Sequence, residues 1–396
     1  MEFTFQVIVR LFATMLIAMV LTPLVKLLAF QIGAVDKPGI RRINKKTMPT
    51  MGGLSIYLAF CIAVLWEFSD TLAFHHVWPM VLASGVVILT GLIDDIFELK
   101  PSQKMIGILL ASFIIYFVDD IKIDTFTLPL FGQIDLGVLS LPVTLLWILA
   151  ITNAVNLIDG LDGLAAGVSL IGLTTIGIIS YFFLPVNGVF LAIVIFSLVA
   201  AIIGFFPFNF YPATIYLGDT GALFLGFMIS ILSLQGLKNA TFITILTPMF
   251  ILGVPITDTV YAMIRRKFNK QPISSADKMH LHHRLLSLGF THRGAVLTIY
   301  ALALVFSFIA LLMNYASTWG IVLLVVSTMI GLELFIELIG LVGENRQPLM
   351  NALKFIGNRR YRRNILEKSS QAIVPIEDDD EDDDDEDELE HLETKE

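Results

Sequence analysis

The stretch Asn153-Ala-Val-Asn-Leu-Ile-Asp-Gly-Leu-Asp-Gly163 lies between two long apolar segments. No charged residue occurs in residues 136–155, and none occurs in residues 163–218. An uncharged run of about 20 residues is long enough to cross a bilayer as a helix. The stretch is therefore predicted to be a polar connection between two membrane spans, and its asparagines and aspartates require a reason.

Composition indicates a membrane protein. Of the 396 residues, 56% are hydrophobic and 15% are charged, whereas soluble proteins carry roughly 25% charged residues. The first apolar run lacks a basic leader and a small-residue cleavage site, so we expect it to be a retained helix. Cys61 is the single cysteine, which excludes an internal disulfide.

Proline, glycine and charged residues divide the chain into apolar segments, which predicts an all-α polytopic membrane protein with about eleven transmembrane helices. Lysine and arginine concentrate in alternate loops, and the opposite loops contain only Lys122 and Lys238. This asymmetry predicts an N-terminus outside and a C-terminus in the cytoplasm. The helices are expected near residues 4–28, 51–68, 77–94, 104–118, 138–156, 163–184, 188–206, 219–236, 240–263, 294–313 and 318–341.

Three parts are predicted along the chain. Residues 1–345 form a transmembrane domain with cytoplasmic loops, residues 346–376 a basic juxtamembrane segment, and residues 377–396 an acidic tail. The tail contains 15 acidic residues and one lysine, which leaves 20 acidic and 25 basic residues elsewhere. A block of like charge cannot bury a core, so the tail is predicted to be disordered.

The first polar cluster ends the third apolar run and contains Asp94, Asp95 and Glu98. Adjacent carboxylates repel one another unless a cation lies among them. A solvated helix end explains the same residues without any ligand. Both interpretations are open for this cluster taken alone.

The second cluster is the opening stretch. On a helix, Asn153, Asn156 and Asp159 are three residues apart, and Asp162 continues the same face. The glycines that follow allow the backbone to turn or to approach a ligand closely. A simple turn explains one polar residue and a glycine, but it does not explain four polar side chains on one stripe.

The third cluster surrounds Asp219, between Gly218 and Gly221 and just before an uncharged run. This position predicts a helix N-terminus at the membrane surface. Asp219 or Thr220 would serve there as the N-cap. Helix N-termini also favour anions, so phosphate binding is an equal alternative.

The fourth cluster contains His280, His282, His283 and Arg284. A zinc site is one interpretation, but zinc-binding histidines on a helix are usually four residues apart with an acid between them. Imidazole and guanidinium groups can instead donate to phosphate oxygens. We therefore expect this cluster to bind a nucleotide diphosphate.

Two further residues are candidates. Lys46 ends a basic stretch whose charge also satisfies the orientation rule, and Asp258 lies inside an apolar run, where ionisable groups are functional candidates. Oxygen-rich ligands favour Mg²⁺ or Mn²⁺ over zinc. Because all the polar clusters fall on the predicted cytoplasmic face, the combination indicates phosphoryl-group chemistry on a lipid.

These motifs resemble those of the polyprenyl-phosphate N-acetylhexosamine-1-phosphate transferases and occur in the same order. The resemblance covers about residues 1–345 and is greatest to the bacterial undecaprenyl-phosphate GlcNAc-1-phosphate transferases of the WecA/TagO type. The motifs are Asp94-Asp95-x-x-Glu98, Asn153-Ala-x-Asn156-Leu-x-Asp159-Gly-x-Asp162-Gly, Gly218-Asp219-x-Gly221 and His280-x-His282-His283-Arg284.

The resemblance implies transfer of GlcNAc-1-phosphate from UDP-GlcNAc to undecaprenyl phosphate, with UMP released and Mg²⁺ or Mn²⁺ as cofactor. It implies a bacterial plasma membrane location with the site facing the cytoplasm, no nucleic-acid partner and a chain able to form a homodimer. Glu98 stands where an aspartate is common in the family. The implied roles are catalysis for Asp94, Asp95, Asp159 and Asp162, metal binding for Asp219 and Asn156, and substrate binding for Lys46, Asn153, His280, His282, His283 and Arg284.

Three other functions share some of these features. The muramoyl-pentapeptide-phosphate transferases of the same superfamily share the aspartate clusters, but their histidines usually occur in a different setting. A transporter would also place polar groups at broken helices, although near the membrane midplane. A structural scaffold would explain the acidic tail and none of the motifs.

Overall fold

The computed structural model describes residues 4–37, 47–72, 74–128, 132–184, 188–235, 242–268, 270, 280–341 and 347–363. Two short antiparallel hairpins pair β1 (Val35–Asp36) with β2 (Met48–Pro49) and β3 (Thr125–Leu128) with β4 (Gly132–Asp135). The helices are α1 (Phe5–Ile32), α2 (Gly53–Ile62, continued by a π-helical turn to Glu67), α3 (Phe74–Phe97), α4 (Pro101–Val118), α5 (Ser140–Ile158), α6 (Leu164–Phe183), α7 (Gly188–Asn209), α8 (Gly218–Gln235), α9 (Phe242–Ile251), α10 (Gly253–Phe268), α11 (Leu281–Ser287), α12 (His292–Met313), α13 (Thr318–Ile339) and α14 (Pro348–Gly357).

Nine helices in the described part of the chain are long and apolar enough to cross a membrane: α1, α3 to α8, α12 and α13. A bilayer core contains no water to bond the backbone, so an uncharged run satisfies its N–H and C=O groups internally as a helix. The prediction of an all-α polytopic membrane protein is confirmed.

Shorter helical segments lie between these candidate spans. The helix from Gly53 to Glu67 begins beside α8, since the N–H of Gly53 donates to the carbonyl of Leu217 at 3.0 Å, and α9 and α10 follow α8 in the chain. The single helix predicted over residues 240–263 is instead two helices that meet at Leu252. Pro255 lacks the N–H that would bond the carbonyl of Ile251 in a continuous helix, which explains the break.

The central helix of the bundle is α8. In its apolar window 83% of the residues are buried, against 17% for the peripheral α13. A side chain at Gly53 would overlap the backbone of Gly221, and one at Gly91 would overlap the backbone of Thr220. Glycine therefore allows α2 and α3 to approach the N-terminus of α8 directly, as small residues do in membrane bundles.

The chain divides into two compact units between Arg346 and Gln347. The described part of the second unit contains α14 and a short helical turn over residues 359–363. Lys46 and the predicted acidic tail at residues 377–396 lie outside the described residues.

Candidate active site

A polar cavity of about 1130 Å³ lies at the end of the bundle where α3, α5 and α7 end and α4, α8 and α12 begin. Three of the four sequence motifs contribute side chains to this one space, although up to 125 positions separate them in the chain. The predicted site residues that line the cavity are Asp94, Asp95, Asn156, Asp159, Asp162 and Asp219.

Asp219 lies among two carboxylates and two nitrogen donors. The side-chain amide of Asn156 donates to Oδ1 of Asp219 at 2.6 Å. Nζ of Lys104 lies 3.2 Å from that oxygen and 2.5 Å from Oδ2 of the buried Asp94. Lys104 thus bridges carboxylates from α3 and α8 and balances part of their charge.

Asp95 points instead at the backbone of α8. Its Oδ1 accepts a hydrogen bond from the N–H of Asp219 at 3.0 Å. Its Oδ2 accepts from the N–H of Thr220 at 3.1 Å and from the Thr220 hydroxyl at 2.5 Å. The expectation that Asp219 or Thr220 would cap α8 is therefore wrong, because a carboxylate from α3 bonds the free N–H groups and complements the helix dipole.

The opening stretch forms the end of α5 and the loop to α6. Burial and the negative charges of Asp219, Asp95 and Asp162 raise the pKa of Asp159 well above its ordinary value. Oδ2 of Asp162 accepts from the N–H of Ala213 at 2.9 Å. The loop is thus attached to the α7–α8 connection.

Sequence reasoning did not predict Lys104, Tyr211 and His292, which also line this cavity. Nε2 of His292 accepts from the N–H of Asp162 at 3.1 Å, and its ring stacks on Tyr211 with centroids 4.3 Å apart. One signal for Lys104 was available. A lysine in the first turn of a helix opposes the helix dipole, so its position at the start of α4 indicates a compensating acidic partner.

The histidine cluster lies behind the loop of the opening stretch and does not line the cavity. Nδ1 of His280 lies 2.9 Å from Oδ2 of Asp258, whose Oδ1 accepts from the N–H of Leu281 at 2.7 Å. His282 is buried, and a side chain at Gly160 would overlap its imidazole. Burial, followed by the charge of His283, lowers the pKa of His282 to about 3. His282 is therefore a neutral support for the loop.

Two other predicted substrate-binding residues donate to backbone carbonyls of helices. Nε of Arg284 donates to the carbonyl of Ile339 at 2.6 Å, at the end of α13. The side-chain amide of Asn153 donates to the carbonyl of Leu149 in its own helix at 2.7 Å. Neither residue lines the cavity.

The donor set around Asp219 suits a hard divalent cation. Among the described residues, no three histidine, cysteine, aspartate or glutamate side chains form a ready ligand group. Mg²⁺ does not need one, since it usually binds through one or two carboxylates, several waters and substrate phosphates. The oxygens of Asp219 and Asn156, with the uncompensated charge of the cavity, fit such a cation.

Comparison with known proteins identifies relatives along nearly the whole chain. It is 41% identical over 360 residues to a probable undecaprenyl-phosphate N-acetylglucosaminyl 1-phosphate transferase of Bacillus subtilis, with 89% of this chain and 98% of the relative covered. It is 36% identical over 303 residues to a decaprenyl-phosphate N-acetylglucosaminephosphotransferase of Mycolicibacterium smegmatis, covering 70% of this chain and 74% of that one. An undecaprenyl-phosphate alpha-N-acetylglucosaminyl 1-phosphate transferase of Escherichia coli is 28% identical over 300 residues, covering 73% and 78%.

Residues 77–237 match the family model described as glycosyl transferase family 4. That segment contains the cavity residues of α3, α4, α5 and α8, including Asp94, Lys104, Asn156 and Asp219. The resemblance drawn from the motifs is therefore confirmed, and the chain belongs to glycosyl transferase family 4.

Proposed function

We propose that this multi-pass membrane protein transfers GlcNAc-1-phosphate from UDP-GlcNAc to undecaprenyl phosphate. An oxygen of the lipid phosphate attacks the β-phosphorus of UDP-GlcNAc, and the bond from that phosphorus to the bridging oxygen breaks. UMP leaves with the bridging oxygen, and undecaprenyl-diphosphate-GlcNAc remains in the membrane. The observation that carries the proposal is 41% identity over 98% of the Bacillus subtilis relative, whose name states this activity.

The geometry supports the same conclusion. A lipid phosphate and a water-soluble nucleotide sugar can meet only at the membrane surface, and the cavity lies where apolar helices end. Its polar groups come from five helices around the N-terminus of α8. A transporter would need such groups near the middle of the bundle.

We assign different roles to Asp94 and Asp95, the two aspartates of the first motif. Asp95 is occupied by three hydrogen bonds from α8, so it positions Asp219 and does not meet substrate. Asp94 and Lys104 form a charged pair within the cavity that can orient the incoming phosphate. A phosphate monoester has a second pKa of about 6, so it is largely deprotonated at neutral pH and needs little help from a base.

Mg²⁺ is the proposed cofactor, with Mn²⁺ as a substitute, and Asp219 and Asn156 would hold it. When bound, it would neutralise charge that develops on the diphosphate oxygens. Asp159 and Asp162 would orient the nucleotide sugar from the loop between α5 and α6. We place the site on the cytoplasmic side of the bacterial plasma membrane, because the loops at this end hold nearly all of the lysine and arginine.

The test is UMP release by purified protein in detergent, supplied with undecaprenyl phosphate and one nucleotide sugar at a time. We expect release with UDP-GlcNAc and none when the lipid or divalent cation is omitted. Release only with the UDP-muramoyl-pentapeptide would assign the chain to the other branch of the superfamily. Release of UMP without lipid would contradict the proposed acceptor.

A further inference from the structure

The helix α14 is amphipathic and too short to cross a membrane. Leu349, Leu353 and Ile356 recur with the spacing that places side chains on one helix face. Leu353 and Ile356 expose 47% and 71% of their surface. Ten residues give a helix of about 15 Å, half the thickness of a bilayer core. Its apolar face therefore suits the surface of a membrane and not its interior.

A run of arginines follows this helix directly. The side chain of Asn358 accepts from the N–H groups of Arg360 and Tyr361 at 3.0 and 3.1 Å, which begins a helical turn over residues 359–363. The hydroxyl of Tyr361 donates to Oδ1 of Asn351 at 3.2 Å, so the turn is attached to the polar side of α14.

The described part of the second unit carries positive charge only. Residues 347–363 contain no aspartate or glutamate. Polybasic segments beside a membrane span are attracted to anionic lipid headgroups. The basic residues are Lys354, Arg359, Arg360, Arg362 and Arg363.

Chain length keeps the unit near the membrane. The candidate span α13 ends at Ile339, and α14 begins at Pro348 after eight intervening residues. Eight extended residues reach at most about 30 Å.

We propose that α14 and its arginine turn bind an anionic lipid surface of the membrane, with Leu353 and Ile356 entering the acyl boundary. Anionic headgroups would pair with the arginines, and the acyl boundary would bury the apolar face of α14. The acidic stretch at residues 377–396 is an alternative binding partner for the arginines, but not for the apolar face. Fifteen acidic residues in twenty cannot cover an apolar face.

The test uses full-length protein in vesicles, with Cys61→Ser as the background. A polarity-sensitive dye is attached at Ile356→Cys, and the matched control is Asn351→Cys on the polar face. Vesicles contain phosphatidylcholine alone or with about 30% phosphatidylglycerol, plus a lipid that carries a quencher in its acyl chain. In anionic vesicles we expect at least about threefold stronger quenching at Ile356 than at Asn351.

Replacement of Arg359, Arg360, Arg362 and Arg363 by glutamine, or removal of phosphatidylglycerol, should abolish most of this difference. Equal quenching at both positions in anionic vesicles overturns the proposal. A difference that survives both changes overturns the role of anionic headgroups. A difference that appears only after residues 377–396 are deleted makes the acidic stretch the occupant and also overturns it.

Discussion

Asp95 on α3 holds Thr220 on α8 through two hydrogen bonds to one carboxylate oxygen, from the Thr220 N–H at 3.1 Å and from its hydroxyl at 2.5 Å. The other oxygen accepts from the N–H of Asp219. Gly91, one turn earlier on α3, lets the two helices approach to backbone contact at the same place. The position of Asp219 in the cavity thus depends on a residue 124 positions earlier in the chain.

Replacement of Asp95 should therefore affect stability as well as turnover. Asp95→Ala leaves buried N–H groups without an acceptor, and each such group costs about 1 to 3 kcal/mol. We expect a lower unfolding temperature in detergent and a loss of kcat. Asp95→Asn keeps an oxygen acceptor and should recover part of both. A stable Asp95→Ala protein with no activity would instead make Asp95 a catalytic acid or base.

Replacement of Lys104 by methionine should reduce kcat by about 100-fold, because preorganised charge at a phosphoryl site contributes on that scale. Lys104→Met also leaves the carboxylates of Asp94 and Asp219 without their ammonium. The matched control is Lys122→Met, since Lys122 also pairs with two aspartates but lies at the opposite end of the bundle. An equal loss in both variants would contradict a role specific to the cavity.

Asp219→Asn should remove most turnover and weaken the dependence of the remaining rate on Mg²⁺. The reason is that one formal charge is lost from the proposed cation site, while the shape of the side chain is kept. Initial rates over a range of Mg²⁺ concentrations measure this, with Asp135→Asn on the exposed β4 as the control. Unchanged activity at limiting Mg²⁺ would remove Asp219 from the metal site.

A methyl group at Gly160 should impair catalysis without touching a charged residue. The added carbon of Gly160→Ala would overlap the imidazole of His282, so the loop of Asp159 and Asp162 must shift. We expect a decrease in kcat/KM for UDP-GlcNAc of at least about tenfold, since small displacements in a site are costly. Gly331→Ala is the control, because nothing lies within 4 Å of its added carbon. Normal kinetics for Gly160→Ala would show that the loop tolerates the shift.

His282 should make the fold sensitive to acid. An unfolded chain binds a proton at histidine with a pKa of about 6.5, whereas the pKa of His282 in the fold is about 3. The contribution of the neutral imidazole to the free energy of unfolding is complete above pH 6.5. It falls by about 1.4 kcal/mol per pH unit as the pH decreases toward 3. Thermal unfolding between pH 7 and about 5 should decline more steeply for the natural chain than for His282→Gln. Equal slopes would contradict the buried neutral imidazole, and His75→Gln, at an exposed histidine, is the control.

The amino-acid sequence alone was sufficient for the helical membrane architecture and for naming six of the cavity residues. The bilayer leaves an uncharged run such as residues 163–183 no other way to bond its backbone than a helix. The alternation of loops rich and poor in lysine and arginine then predicts that Asp94, Asn156 and Asp219 lie at the same end of the bundle. Each of these conclusions depends on the composition of one segment at a time.

Tertiary packing decided which of those residues meet and what each one does. Asp95 caps α8, Lys104 lies between Asp94 and Asp219, and His282 supports Gly160 from behind the cavity. The spacing of residues along one helix does not specify their distances to residues of another helix. Those distances follow from contacts between small residues where helices cross, and such contacts form only when the whole bundle is assembled.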